Sequence, residues 1–185
     1  MYEKTATDGI VLRKRGVGEA NLRVAILTRE FGLVVASARA ARAEASKLRY
    51  GLEPLTSARF CLIRGRHEWR VTEAHGIRPL GLSAQSGRIA QLLLRLVHGE
   101  EKNPQLFDEV SEGLRALAAT KEPHAEAIEC VLVLRILFAL GYLPHTQALA
   151  PFIEGGFSIE LSAKAIESRS LLVRTINESL QMTGL

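Results

Sequence analysis

ANLRVAILTREFGLVVASAR, Ala20 to Arg39, is the stretch on which the fold turns. Leu22, Val24 and Ile26 recur at period two, as in a strand with one buried face. TREFG, Thr28 to Gly32, then supplies a hairpin turn, because Gly32 tolerates a positive φ. GLVVASAR forms the return strand. Upstream, GIVLRKR (9–15) is β-rich and then basic. Downstream, LTSARFCLIRGRHEWRVTEAH (55–75) reads as two more strands about a turn near RGRHE. About five strands at hairpin spacing favour a small closed barrel over a βαβ sheet.

The period changes to helical from Ser83 onward. SAQSGRIAQLLLRLVHG puts Ile89, Leu92, Leu93, Leu96 and Val97 on one stripe and ends at Gly99. In NPQLFDEVSEGLRALAA, Asn103 is placed as N-cap and Pro104 at the first helical position, with Leu106, Val110, Leu114 and Leu117 following at helical spacing. PHAEAIECVLVLRILFALGY is apolar nearly all round from Ile128 to Leu140, as expected of a central buried helix, and Gly141 ends it. LPHTQALAPFIEGGF is a connector with one helical turn. SIELSAKAIESRSLLVRTINESLQ opens on the capping residue Ser158 and reads as one element running almost to the end. The expected class is therefore α+β, with a β-barrel over 1–80 and an all-α helical domain over 81–185.

Composition agrees. The 185 residues are 47% hydrophobic and 24% charged, an ordinary globular balance. No apolar run approaches the roughly 20 residues of a membrane span, and the first residues do not resemble a secretory signal. Cys61 and Cys130 are far apart with no CxxC, which suggests neither a disulfide framework nor a zinc site and favours a reduced, cytoplasmic setting. The net charge of +4 conceals a split: 15 Lys/Arg against 8 Asp/Glu in residues 1–80, and 9 against 12 in residues 81–185. A basic half followed by a mildly acidic one suggests different partners for each.

The cations fall in three places. Arg39, Arg42, Lys47 and Arg49 lie between the third and fourth expected strands, Arg13, Lys14 and Arg15 end the first, and Arg64 and Arg66 sit in the later turn. Phosphate binding needs cations spaced over a surface, and each neutralised phosphate releases condensed counterions. The competing reading of ARAARAEASK is an alanine-rich helical turn with its charges in water. Single-strand binders also stack bases on aromatics. Tyr2, Phe31, Tyr50, Phe60 and Trp69 are on offer; Phe60 is expected in the core, and Trp69 as a barrel plug rather than a stacking platform. Phosphate contacts should then dominate.

The ordered set Arg15, Gly18-Glu19, Thr28 to Gly32, Ala38-Arg39-Ala40-Ala41-Arg42 and LRYGLEPL (48–55) resembles the N-terminal domain of the RecO recombination mediators. LRILFALGYLP (134–144) is similar to a helix end in that family's helical domain. The resemblance implies an OB-fold barrel followed by helices and a non-catalytic role in DNA repair. That role comprises binding single- and double-stranded DNA, annealing complementary strands, and loading recombinase with a RecR-type partner and single-stranded-DNA-binding protein. It implies a cytoplasmic, nucleoid-associated protein. Many members carry a four-cysteine zinc module after the LGY-P segment; His145 to Phe157 contains no cysteine, so no metal is expected.

Arg135, alone inside an apolar helix, needs a carboxylate or solvent. Either it pairs with Glu129 or an acid on a neighbouring helix, or it is the cationic rim of a groove that captures a partner's acidic tail. The second role would also suit a non-catalytic adaptor that docks acidic tails without binding DNA. No catalytic set emerges. His67, His75, His98, His124 and His145 are scattered, Cys61 alternates within a strand and reads as core, no acid pair suited to magnesium stands out, and RGVGE lacks a phosphate-loop context. No cofactor is expected.

Overall fold

The computed structural model describes residues 4–66 and 68–183. Two compact units emerge. One holds the chain up to Leu82 together with Ala90–Pro104; the other holds Ser83–Ile89 and the chain from Gln105 on.

The first unit is a closed five-stranded barrel in the order β1-β2-β3-β5-β4. Its strands are β1 Lys4–Val17, β2 Asn21–Thr28, β3 Gly32–Ala38, β4 Thr56–Arg64 and β5 Trp69–Pro79. Every pairing is antiparallel except β3 with β5, where Ala36 and Ser37 lie opposite Trp69 and Arg70 and close the barrel in parallel. β1 serves two neighbours: Lys4–Ile10 pair with β4, and Gly9–Val17 with β2. Between them Val11 lies opposite Ile26 but Arg13 opposite Ala25, so Leu12 is an extra residue. Such a bulge bends and twists a strand, which is what closure of a small barrel needs. Val11, Val24, Ile26, Val34, Phe60, Leu62, Trp69 and Val71 fill the interior. Gly9 leaves room for them, because a Cβ there would stand 2.7 Å from Ile26 and 2.9 Å from Phe60.

The hairpin of β2 and β3 forms as its sequence requires. Gly32 takes φ +63°, and Thr28 Oγ1 accepts from Phe31 N–H (3.1 Å) and donates to the Gly32 carbonyl (2.9 Å). The Ala90–Pro104 stretch joins this tip through Leu33 N–H to the Gly99 carbonyl and Lys102 to Glu30.

Helices follow as α1 Ala84–Leu96, α2 Pro104–Ala119, α3 His124–Ala139, α4 Ala150–Ile153, α5 Ile159–Glu167 and α6 Arg169–Met182. α3 is central and packs on α4, α5 and α6. It ends as a Schellman motif, with Gly141 N–H donating to Phe138 O, Tyr142 N–H to Leu137 O, and Gly141 at φ +79°. The single element expected over 158–181 is two helices. Ser158 caps the first by accepting from Leu161 N–H, but Ser168 (φ −95°, ψ 11°) leaves helical geometry and starts the second. The break lets Ala165 and then Leu172 and Ile176 each turn inward.

Candidate nucleic-acid interface

The Leu12 bulge decides where the first group of cations points. Residues directly opposite across a ladder share a face. Arg13 lies opposite Ala25, which lies opposite the exposed Val35; Arg15 lies opposite Arg23. Arg13, Arg15 and Arg23 therefore share the outer face, where they line a groove with Ala25 and Val35. Lys14 lies opposite the core residue Val24, on the other face. There it ion-pairs with Glu53 and joins Arg42 and Arg49 around a polar pocket at the barrel's rim. The basic run GIVLRKR thus splits between two surfaces.

Arg23 was not among the expected site residues. It reads as the polar member of an alternating strand, and only the β1–β2 register reveals that it faces Arg15. Two guanidinium groups directly opposite on one face repel. Among the described residues neither they nor Arg13 form an ion pair.

The segment 39–55 is a chain of turns, with successive bonds from Ala43 to Ala40, Ser46 to Ala43 and Arg49 to Ser46. Ala41 and Leu52 are buried and anchor it. Arg42 ties it to the β1–β2 turn, its side chain donating to Gly18 O (3.1 Å) and its backbone N–H to Ala20 O. Ala40 N–H donates to Asn21 Oδ1. Arg39, Arg42, Lys47 and Arg49 are all exposed. In the β4–β5 turn Arg66 is exposed, whereas Arg64 pairs with Glu100 (2.9 Å) and lies over the Trp69 ring (5.1 Å).

Trp69 is 4% exposed and packs on Phe31, a plug rather than a platform. Tyr50 is 72% exposed and is free to stack; Tyr2 and His67 lie outside the described residues.

Arg135 departs from the tail-binding role. It is 2% exposed, and its guanidinium donates to Glu109 Oε2 (3.0 Å), Phe152 O (2.8 Å) and Glu154 O (3.2 Å) beneath the Phe157 ring. Glu109 of α2 is the partner; Glu129 instead takes Arg88 in a bidentate pair of 2.7 and 2.6 Å. An incoming carboxylate would have to displace Glu109 from a closed site. Cys61 also differs from expectation, lying on the outer barrel face rather than in the core. Burial, and then a hydrogen bond to Glu73, raise its thiol pKa, and burial raises that of Cys130 to about 11. Both are thiols at neutral pH, not nucleophilic thiolates. His124 Nδ1 lies 2.8 Å from Ser162 Oγ, but Ser162 is fully buried and donates to Ile159 O, so no substrate reaches it.

The molecule is an OB-type barrel followed by a helical unit, with separate basic surfaces on the barrel's outer face and rim. The description "Recombination protein O N terminal" matches residues 1–80, and "Recombination protein O C terminal" matches 84–150. The chain belongs to the recombination protein O family. Among its relatives are proteins named DNA repair protein RecO. That of Nocardioides is 35% identical over 153 residues (77% of this chain, 62% of the relative), and that of Heliobacterium modesticaldum 30% over 143 (74% and 51%). That of Bacillus subtilis is 29% identical over 148 residues (76% and 57%). The chain thus spans between half and two-thirds of the length of these relatives.

Proposed function

We propose that the chain is a non-catalytic DNA-binding protein of recombinational repair, holding single- and double-stranded DNA through its phosphates. The observation that carries this is the Arg15–Arg23 pair, two like charges directly opposite with Arg13 beside them and, among the described residues lining the groove, no acid to neutralise them. A phosphate backbone laid along the groove relieves that repulsion and releases counterions. The outer strands and loops of OB barrels are a recurrent nucleic-acid surface. Arg39, Arg42, Lys47, Arg49 and Arg66 extend the positive surface, while Lys14 and Arg64 give part of their charge to Glu53 and Glu100. With Tyr50 the one strongly exposed aromatic among the barrel's described residues, stacking contributes little and sequence preference is weak.

Annealing follows from the same electrostatics. Complementary strands repel, and a cationic surface gathers them and lowers that repulsion while the base edges stay free. Recombinase loading with a RecR-type partner and single-stranded-DNA-binding protein completes the reading, in the cytoplasm, and rests on the family relationship. The adaptor alternative loses its anchor with Arg135 buried.

The test is anisotropy of a labelled single strand across a salt series, with the full chain and with Arg13, Arg15 and Arg23 replaced together by Ala. The parent should bind with a log–log salt slope of about −0.7 per phosphate contacted, and the triple variant should lose about 2 from that slope. Unchanged affinity and slope in the variant would overturn the assignment of this face. No binding by the parent at low salt would overturn the DNA reading itself.

A further inference from the structure

On the far side of the barrel from its interior, three residues of different ligand chemistry meet where the spacing of the sequence does not bring them together. Cys61 lies directly opposite Glu73 in the β4–β5 ladder, and His75 follows Glu73 by two, on the same outward face. The thiol sulfur, a Glu73 oxygen and an imidazole nitrogen all lie within 4.8 Å of one another, with His75 Nε2 already 3.1 Å from Glu73 Oε2. We propose that Cys61, Glu73 and His75 form a three-ligand site for a thiophilic divalent cation of the zinc class, with a fourth position open to water.

Three features argue for a built arrangement. First, the donor set is a thiolate, an imidazole and a carboxylate, the mixture that suits zinc and discriminates against magnesium and calcium. Ligands at zinc distances stand about 3.3–3.8 Å apart in a tetrahedron, so the present separations need only rotamer adjustments. Second, the ladder is irregular on both sides of the group. Pairing shifts between Cys61 and Leu62, leaving Thr72 extra on β5, and again between Ser57 and Arg59, at Gly76 with φ +61°. Thr72 Oγ1 donates to the Cys61 carbonyl and holds the first bulge. Bulges re-aim side chains and gather at functional sites. Third, Glu73 is a hub without a metal, accepting from Lys4 (2.5 Å) and from His75. Lys4 occupies a cation's place beside the carboxylate; a divalent ion would replace it and staple β4 to β5.

This site does not depend on DNA binding. The experiment is a titration of the full chain with cobalt(II) alone, followed by zinc(II) back-titration, reading the thiolate-to-cobalt charge-transfer band. The proposal expects a saturable 1:1 band that zinc abolishes. Cys61→Ser should lose the band, while Cys130→Ser keeps it. Glu73→Gln and His75→Ala should each weaken binding at least about tenfold, and Lys4→Ala should tighten it by removing the competing cation. A zinc-dependent rise in Tm, absent in Cys61→Ser, is the second readout. The Lys4, Cys61, Glu73 and His75 substitutions lie on the barrel's outer face, Cys130→Ser lies in α3 of the helical unit, and circular dichroism checks that each variant folds. No band in the parent protein overturns the proposal, as does a band that survives Cys61→Ser or is lost in Cys130→Ser.

Discussion

Arg135 carries its charge in the middle of an apolar helix and keeps it by satisfying its donors: Nε on Phe152 O, Nη1 on Glu109 and Nη2 on Glu154 O. One side chain thereby ties α2, α3, α4 and the residue after α4. Arg135→Ala leaves a half-buried carboxylate and two carbonyls unpartnered, and removing one member of a buried pair costs about 3–5 kcal/mol. The lower end applies, since Glu109 retains some contact with water. Urea denaturation should therefore show a loss of about 3 kcal/mol, and DNA affinity of the folded fraction should not change. An acidic-tail role would require the reverse, a stable protein that loses a partner. Gly9 is the corresponding point in the barrel. Gly9→Ala drives a methyl into Ile26 and Phe60, and overpacking of that kind costs about 1–3 kcal/mol, to be read as a lower urea midpoint with an unchanged m-value. The need for an acid near Arg135 was legible from sequence, because an isolated cation among apolar residues must be paired. Its identity was not, since Glu109 and Arg135 meet only when α2 and α3 cross.

Strands and helices were legible to different depths. The β2–β3 hairpin followed from period-two residues and a glycine in the turn, both local properties. The division of Arg13, Lys14 and Arg15 between two faces depends on the Leu12 bulge, which no local pattern announces because Ile10, Val11 and Leu12 are all buried. Arg23 and the Cys61, Glu73 and His75 group escaped for a related reason: strand register is a tertiary fact, and a one-residue shift moves every side chain to the other face. Ser168 interrupts what helical periodicity alone reads as continuous. The β1–β2 ladder also makes a prediction in which stability and function move in opposite directions. Removing one of two opposed like charges relieves about 0.2–1 kcal/mol of repulsion. Arg23→Thr should therefore raise the Tm of the free protein while weakening its binding to single-stranded DNA. Paired thermal melts and anisotropy check this, and a variant that loses both stability and affinity would mean that Arg23 is structural.

Charge is unevenly spread along the whole chain, 15 Lys/Arg against 8 Asp/Glu in residues 1–80 and 9 against 12 in the rest. The sequence alone made this asymmetry visible, but not whether the proposed DNA binding would depend on the total field or on a particular arrangement. A net positive charge attracts any polyanion and speeds encounter, whereas counterion release counts the phosphates actually neutralised. Two variants of equal net charge separate the two. Replacing Arg13, Arg15 and Arg23 by Gln removes three charges from one groove of the barrel. Replacing Lys121, Lys164 and Arg174 by Gln removes three from exposed positions in the helical unit, where none forms an ion pair among the described residues. A purely global effect would lower affinity equally in both. Site-specific phosphate contact predicts that the barrel variant loses about 2 from its single-strand salt slope and that the helical variant keeps the parent slope, with at most a slower association rate at low salt. Stopped-flow association and equilibrium anisotropy, measured over the same salt series, distinguish these outcomes. Equal losses of slope in the two variants would place the interaction in the field of the molecule and not in the Arg13–Arg15–Arg23 groove.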